Sequence, residues 1–144
     1  MIAVDTNLLV YAYAEESAEH EPALDALAGL VHAGAPWGIP WTVACEFLAL
    51  VTNRARLDAP LDAADAFAVL DSWLGAGRAQ LLMEPPGLYR SFRELAVHAR
   101  ASGPFFHDAR IAAACLANGV TEFWTADRDY GRFPALRVRN PLVD

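Results

Sequence analysis

Residues 2–9, IAVDTNLL, decide the fold that this sequence predicts. The apolar residues 2–4 predict a short buried strand, and the apolar residues that resume at Leu8 predict a helix. Asp5, Thr6 and Asn7 lie at the junction between the two elements. In an α/β protein this junction is the carboxyl end of a strand, where ligands bind. A carboxylate here serves either as a helix N-cap or in a ligand site, and the stretch alone leaves both interpretations open.

The rest of the chain continues this alternation of strands and helices. Further strands are predicted at residues 37–39, 80–83, 122–125 and 136–138. Helices are predicted at residues 6–14, 17–31, 63–74 and 107–118, and two more begin near residues 41 and 88. Ser17 and Asp62 are the expected N-caps of the second and fourth helices. The alternation predicts an α/β fold with a mostly parallel sheet of four to five strands, flanked by helices.

The helix that begins near residue 41 has apolar residues at helical spacing, which predict its buried face. These residues are Trp41, Ala44, Cys45, Leu48 and Val51. Both cysteines, Cys45 and Cys115, are predicted to be small buried hydrophobes in a reducing compartment. No segment has the length of a membrane span or the pattern of a secretory signal, so the protein is predicted to be cytoplasmic.

Length and composition predict one globular domain that spans residues 1–144. Hydrophobic residues make up 55% of the chain, which argues against a disordered protein. Every basic residue is an arginine. The absence of lysine excludes chemistry that depends on this residue, such as a Walker A phosphate loop or a Schiff base.

Charge is distributed unevenly along the chain, whose net charge is −7. Residues 1–53 contain seven carboxylates and no arginine, whereas residues 54–144 contain 11 carboxylates and 11 arginines. A polyanion would therefore avoid the first third of the chain and approach the arginines of the remainder. The acidic total by itself is more typical of a soluble acidic protein than of one that binds nucleic acid.

Four carboxylates occupy positions that the pattern of strands and helices does not require: Asp5, Glu46, Asp108 and Asp127. Taken singly, each has an ordinary explanation as a helix cap, a solvent-facing side chain, a first-turn residue or a turn residue. If the four converge, their charges repel one another in a partly dry cleft unless a cation is bound. Mg²⁺ or Mn²⁺ prefers such oxygen ligands, and a water activated by the metal would attack a phosphodiester.

Over its whole length the sequence resembles the PIN-domain ribonucleases, most closely the toxin component of VapBC-type toxin–antitoxin modules. The resemblance is carried by MIAVDTNLLVYAY (1–13), VACEFLALVTN (43–53), FFHDARIAAACLANGV (105–120) and EFWTADRDYGRFP (122–134). It implies a PIN-like three-layer α/β/α sandwich and a metal-dependent endoribonuclease that cuts single-stranded or loop RNA. It also implies a homodimer and a cognate antitoxin protein that inhibits the enzyme.

The resemblance gives the acidic residues expected roles. Asp5, Glu46, Asp108 and Asp127 would form the catalytic quartet. Asp5 and Asp108 would be the most direct ligands of Mg²⁺ or Mn²⁺. Glu46 and Asp127 would contribute directly or through water.

Neighbouring polar residues receive supporting roles from the same resemblance. Thr6 and Asn7 would orient Asp5 and the substrate, and Thr125 would hydrogen-bond the acids. Asp129 would be structural. Tyr130 stands where the family more often has Phe, and a buried aromatic side chain serves in both cases.

The roles of several other residues stay open. Arg110 and Arg128 flank the acids, and each would either grip a substrate phosphate or form a structural ion pair. His107 is expected to support the site indirectly or to cap a helix rather than to act as a catalyst. The four tryptophans are more typical of a core or an interface than of base-stacking platforms.

Two other function classes compete with the nuclease. The first is a PIN module that binds RNA or a partner without cutting, although such a module has no need for four mutually repelling acids. The second is another metal-dependent phosphohydrolase. Phosphatases that form an aspartyl-phosphate need an aspartate where Asn7 stands, and they need a lysine.

Overall fold

The computed structural model describes residues 1–143; Asp144, with which the predicted domain of residues 1–144 ends, lies outside the described residues. The strands are β1 (Ile2–Val4), β2 (Trp37–Pro40), β3 (Ala79–Leu82), β4 (Glu122–Trp124) and β5 (Arg137–Arg139). The helices are α1 (Thr6–Tyr13), α2 (His20–His32), α3 (Trp41–Val51), α4 (Ala63–Leu74), α5 (Leu88–His98) and α6 (Phe105–Ala117). A 3₁₀ segment, Arg128–Arg132, lies between β4 and β5.

The five strands form one sheet in the order β3-β2-β1-β4-β5, and every pairing is parallel. The chain moves outward from β1 to β3 and then returns to place β4 on the other side of β1. The strand order therefore reverses between β1 and β4. In open parallel sheets the crevice outside such a switch point is where ligands bind. Val4 pairs with Trp124 there, and the Asp5 backbone N–H donates to the Trp124 carbonyl oxygen at 2.9 Å.

Helices cover the sheet in two groups and make the three-layer α/β/α sandwich that the sequence predicts. Helix α1 packs against both α2 and α3, and α3 packs against α4, whereas α5 packs on α6. Aromatic contacts anchor both groups. The Phe47 ring meets the rings of Tyr13 and Trp73 edge-on, and Phe105 stacks on Phe133. The predicted fold class is thus confirmed, with five strands in the sheet.

The buried face of α3 differs from the predicted one. The buried residues are Val43, Ala44, Phe47 and Val51. Trp41 and Cys45 are exposed instead. Because the sequence of α3, WTVACEFLALV, is apolar almost all round, periodicity alone does not identify the side that faces the core. The prediction of a buried cysteine is confirmed for Cys115 and wrong for Cys45.

The start of α2 also differs, because the helix begins at His20 and not directly after Ser17. The Ser17 hydroxyl accepts a hydrogen bond from the Glu19 N–H at 3.3 Å and donates to the Glu19 carboxylate at 2.6 Å. Ser17 therefore organises the turn before the helix. The other predicted N-cap is confirmed, since Asp62 accepts from the Asp65 N–H at 2.8 Å. Among residues 1–143 there is no helix with the length and apolarity that crossing a membrane requires.

Candidate active site

Asp5 lies directly after β1 and is 5% exposed. Its Oδ1 accepts a hydrogen bond from the Thr6 N–H at 2.8 Å and so caps α1. Its Oδ2 accepts from Asn7 Nδ2 at 2.8 Å and from the Thr125 hydroxyl at 2.6 Å. Three donors therefore fix the carboxylate. The two interpretations of Asp5 are compatible, because it caps the helix and also faces a cavity.

Thr125 and Asn7 join the ends of β1 and β4. The Thr125 hydroxyl donates to Asp5 and accepts hydrogen bonds from the Asp127 N–H at 2.9 Å and from Asn7 Nδ2 at 3.0 Å. Asn7 Oδ1 accepts from the Ala126 N–H at 3.1 Å. The Asp127 carboxylate then accepts from the Asp129 N–H at 2.8 Å, where the 3₁₀ segment begins. This network holds Asp5 and Asp127 side by side at the switch point.

Glu46 and Asp108 reach the same cavity from α3 and α6. The Thr6 hydroxyl donates to Glu46 Oε2 at 2.7 Å, which ties α3 to the start of α1. Asp108 lies in the first turn of α6, is half-buried, and receives a hydrogen bond from the Tyr130 hydroxyl. A cavity of about 300 Å³ is lined by all four predicted acids: Asp5, Glu46, Asp108 and Asp127. The structure thus brings together residues that are up to 122 positions apart in the sequence.

The acids of this cavity perturb one another. The pKa of Asp5 is raised to about 6, mainly by burial and also by the charges of Glu46 and Asp108. The hydrogen bonds from Thr125 and Thr6 act in the opposite direction and lower it. The pKa of Asp108 is also raised to about 6, mainly by burial and next by the negative charges of Asp127 and Asp129. These shifts show that the carboxylates are close enough to repel in partly dry surroundings.

The donor set suits a hard cation. Every candidate ligand in the cavity is an oxygen, which Mg²⁺ and Mn²⁺ prefer. Among residues 1–143, no group of three or more His, Cys, Asp or Glu side chains is arranged to hold a metal ion by itself. Mg²⁺ does not need such a cage, since it keeps several waters and commonly takes one or two carboxylates plus substrate phosphate. The residues present therefore fit a cation that is largely hydrated.

The remaining predicted residues occupy varied positions. Arg110 donates to Glu84 through two nitrogens, at 2.6 and 2.9 Å, which is the ion-pair alternative that the sequence left open. Hydrogen bonding to Glu84 raises the pKa of Arg110. Arg128 is exposed at the start of the 3₁₀ segment beside Asp127. His107 is exposed in the first turn of α6 and is not its N-cap, because that position belongs to Pro104.

Sequence reasoning missed part of the cavity wall. Tyr130 was expected to serve only as a buried ring, yet its hydroxyl reaches Asp108. Burial raises its pKa above the ordinary value. The sequence did carry a sign of this contact, because Tyr130 has a hydroxyl where the family more often has Phe. Val10, Tyr11 and Leu50 complete the wall and had no signal of their own, because apolar helix residues look alike whether they face a core or a cavity.

Comparisons with known proteins agree with this geometry. The sequence model of the PIN domain matches residues 2–136. The chain is 37% identical over 142 residues to VapC ribonuclease Mb2897 of Mycobacterium bovis and to ribonuclease VapC43 of Mycobacterium tuberculosis. These matches cover 99% of this chain and 96% of each relative.

Solved structures show the same fold. VapBC2 from Rickettsia felis, bound to a DNA fragment from its promoter, superposes with a TM-score of 0.71 at 20% identity, covering 97% of this chain and 98% of that one. VapC20 of Mycobacterium tuberculosis, described as a toxin that cleaves the sarcin-ricin loop, superposes with a TM-score of 0.63 at 20% identity, covering 91% and 93%. The family match, the full-length identity and the acidic cavity agree, and the chain belongs to the PIN-domain family, within it to the VapC ribonucleases.

Proposed function

We propose that this protein is a Mg²⁺- or Mn²⁺-dependent endoribonuclease that hydrolyses phosphodiester bonds in single-stranded or loop RNA. One observation carries the proposal: the four carboxylates that the family resemblance singles out line one cavity at the switch point of the sheet. The raised pKa values of Asp5 and Asp108 support it, because carboxylates that are disfavoured first by burial and then by neighbouring acids are tolerated best when a cation is bound.

The four acids have the roles that the family resemblance implies. Asp5 and Asp108 would hold the cation directly, and Glu46 and Asp127 would act on its waters. When bound, the cation supplies a water that is easily deprotonated and a positive charge for the leaving oxygen. The hydrogen bonds from Asn7 and Thr125 keep the Asp5 carboxylate oriented toward the cavity.

Thr6 and Tyr130 orient Glu46 and Asp108 in the same way that Asn7 and Thr125 orient Asp5. Thr6 orients Glu46 by donating to its carboxylate, and the Tyr130 hydroxyl does the same for Asp108. Arg128, exposed beside Asp127, is a candidate to contact a substrate phosphate. Arg110 would first have to leave its pair with Glu84 before it played that part.

Partners follow from the family and from charge. The structural neighbours include VapBC complexes, so a cognate antitoxin is the expected inhibitor of this chain. Residues 1–53 carry seven carboxylates and no arginine, a charge pattern that would attract a basic peptide. A homodimer and a cytoplasmic location are part of the same proposal. That residues 1–144 form one domain also stays a prediction.

The test removes one acid at a time and measures RNA cleavage with Mg²⁺. Asp5→Asn and Asp108→Asn should abolish cleavage of RNA and growth arrest on expression, and both should unfold cooperatively on heating. Asparagine still caps a helix, so α1 keeps its start in the first variant. Asp65→Asn is the matched control, because Asp65 also lies in the first turn of a helix but is exposed on α4.

Retained cleavage in either acid variant would contradict the proposal. Calorimetry with Mn²⁺ distinguishes the nuclease from the alternative, a PIN module that binds RNA without cutting it. Specific RNA binding without measurable metal binding or cleavage would favour that module. Mapping the cleaved ends in total RNA after brief induction would identify the substrate.

A further inference from the structure

A second cavity adjoins the acidic one and shares two residues with it. This groove, of about 480 Å³, has Glu46 and Asp108 at the edge that it shares with the acidic cavity. Its other walls include Trp41, His107 and Ile111. We call it the Trp41 groove. A substrate whose phosphate lies against the acids would therefore have the groove as its neighbouring concave surface.

Trp41 is placed at this groove by the fold. It is the first residue of α3, directly after β2, so it lies at the same carboxyl edge of the sheet as Asp5. It is 39% exposed, although a tryptophan ring has much to gain from burial. Sequence reasoning expected this ring in the core. Its position in a concave site beside the acids makes its exposed surface available to a ligand in the groove.

The charge of the groove limits what it can accept. Arg110, which contributes to the wall, is already neutralised by its two hydrogen bonds to Glu84. The remaining formal charges are the carboxylates at the shared edge. An anionic group therefore belongs on the acidic side with a cation, and the far end of the groove suits a flat, uncharged group. A nucleobase attached to a phosphate has this division of charge.

We propose that the Trp41 groove binds a nucleobase next to the scissile phosphate of single-stranded RNA, by stacking the base on Trp41. This inference rests on the proposed function, because it takes the acidic cavity as the place of the phosphate. Stacking is tolerant of sequence, since every base has a π face. The groove therefore contributes affinity and favours unpaired over paired RNA, because a base must leave its helix to enter.

The experiment uses two ligands that differ only in the base. AMP and ribose 5-phosphate are titrated into the protein with Mg²⁺, and binding is followed by calorimetry and by tryptophan fluorescence. Wild type should bind AMP about tenfold more tightly than ribose 5-phosphate, the size expected for one stacked base. Trp41→Ala should bind the two ligands alike, and Trp41→Phe should keep most of the preference because it keeps an aromatic face.

Kinetics on a short single-stranded RNA give a second readout. Trp41→Ala should raise KM about tenfold and leave kcat within about twofold, as expected when binding that is equal in the ground and transition states is lost. Tyr89→Ala is the matched control, because Tyr89 is an exposed aromatic residue that lines neither cavity. Its KM and its AMP preference should equal those of wild type.

The outcomes separate this inference from the nuclease assignment. An AMP preference that survives in Trp41→Ala overturns the groove alone, even when the wild type cleaves RNA. If the AMP preference depends on Trp41 but the protein cleaves no RNA, the base-binding role of the groove stands and the nuclease assignment is wrong. A shift from dimer to monomer in Trp41→Ala, with the AMP preference unchanged, assigns the groove to contact between copies and overturns the inference.

Discussion

Replacing Asp108 by asparagine should stabilise the metal-free protein while it removes activity. The change keeps the size of the side chain and keeps an oxygen that accepts from the Tyr130 hydroxyl. It removes a charge that is repelled by Asp127 and Asp129 and disfavoured by burial. A charged group placed for a cation therefore lowers stability when the cation is absent.

The magnitude follows from the raised pKa of Asp108. A rise from 3.8 to about 6 corresponds in full to about 3 kcal/mol. Asp108 is only half-buried, so solvent and salt screen part of this and about 1 kcal/mol is expected. The sign depends on pH. Folding favours the protonated form of Asp108, because its pKa is raised in the folded state. The folded protein is therefore most stable with respect to this group below pH 3.8, and that stability is lost as the pH rises through about 6.

Urea unfolding in EDTA measures this difference. At about pH 7.5 the free energy of unfolding of Asp108→Asn should exceed that of wild type by about 1 kcal/mol, and this gain should shrink toward zero as the pH falls below 3.8, the ordinary pKa of the carboxyl. Asp65→Asn should show no such gain. Equal or lower stability of Asp108→Asn at about pH 7.5, or a gain that keeps its size as the pH falls below 3.8, would refute the assigned cost of burial and charge repulsion.

Three further predictions test the site and its frame. Mg²⁺ should raise the Tm of wild type more at about pH 7.5 than at about pH 5, because the ligand carboxylates must be deprotonated; equal shifts would contradict the metal site. Thr125→Val should lower the free energy of unfolding by about 1–3 kcal/mol, because it removes the hydroxyl that donates to Asp5. Thr125→Ser keeps that donor and should be more stable than Thr125→Val; equal stability of the two variants would count against the hydrogen bond. Gly29→Ala should stabilise α2 by about 1 kcal/mol with unchanged cleavage, since a Cβ there meets nothing within 4 Å; a loss in urea unfolding would show hidden strain.

The acids were predictable because strand ends are visible in sequence. Asp5 follows an apolar run, and Asp127 follows another, so both were expected at the carboxyl edge of a parallel sheet. The reversal of strand order between β1 and β4 brings the two edges together. Glu46 and Asp108 also stood out by position, but a carboxylate in a helix has many ordinary reasons to be there, so the family resemblance was needed to give these two their roles.

Long-range pairing and the orientation of apolar helices were not predictable. Arg110 pairs with Glu84, which lies 26 residues earlier and two residues after the end of β3, and no local pattern joins them. The sequence of α3 offers two apolar stripes, and only the packing of Phe47 against Tyr13 and Trp73 selects one. That selection also turns Trp41 and Cys45 outward, so the Trp41 groove was hidden from sequence reasoning.

The chain contains its own comparison for the role of Asp5. Asp62 caps α4 by accepting from the Asp65 N–H, and it does so while exposed to solvent. Asp5 caps α1 by accepting from the N–H of the next residue, Thr6, yet it is buried and accepts two further hydrogen bonds, from Asn7 and Thr125. Capping therefore does not require burial, and burial of a carboxylate disfavours its charged form. The extra donors hold Asp5 in a position that capping alone would never select, facing three more acids across a cavity.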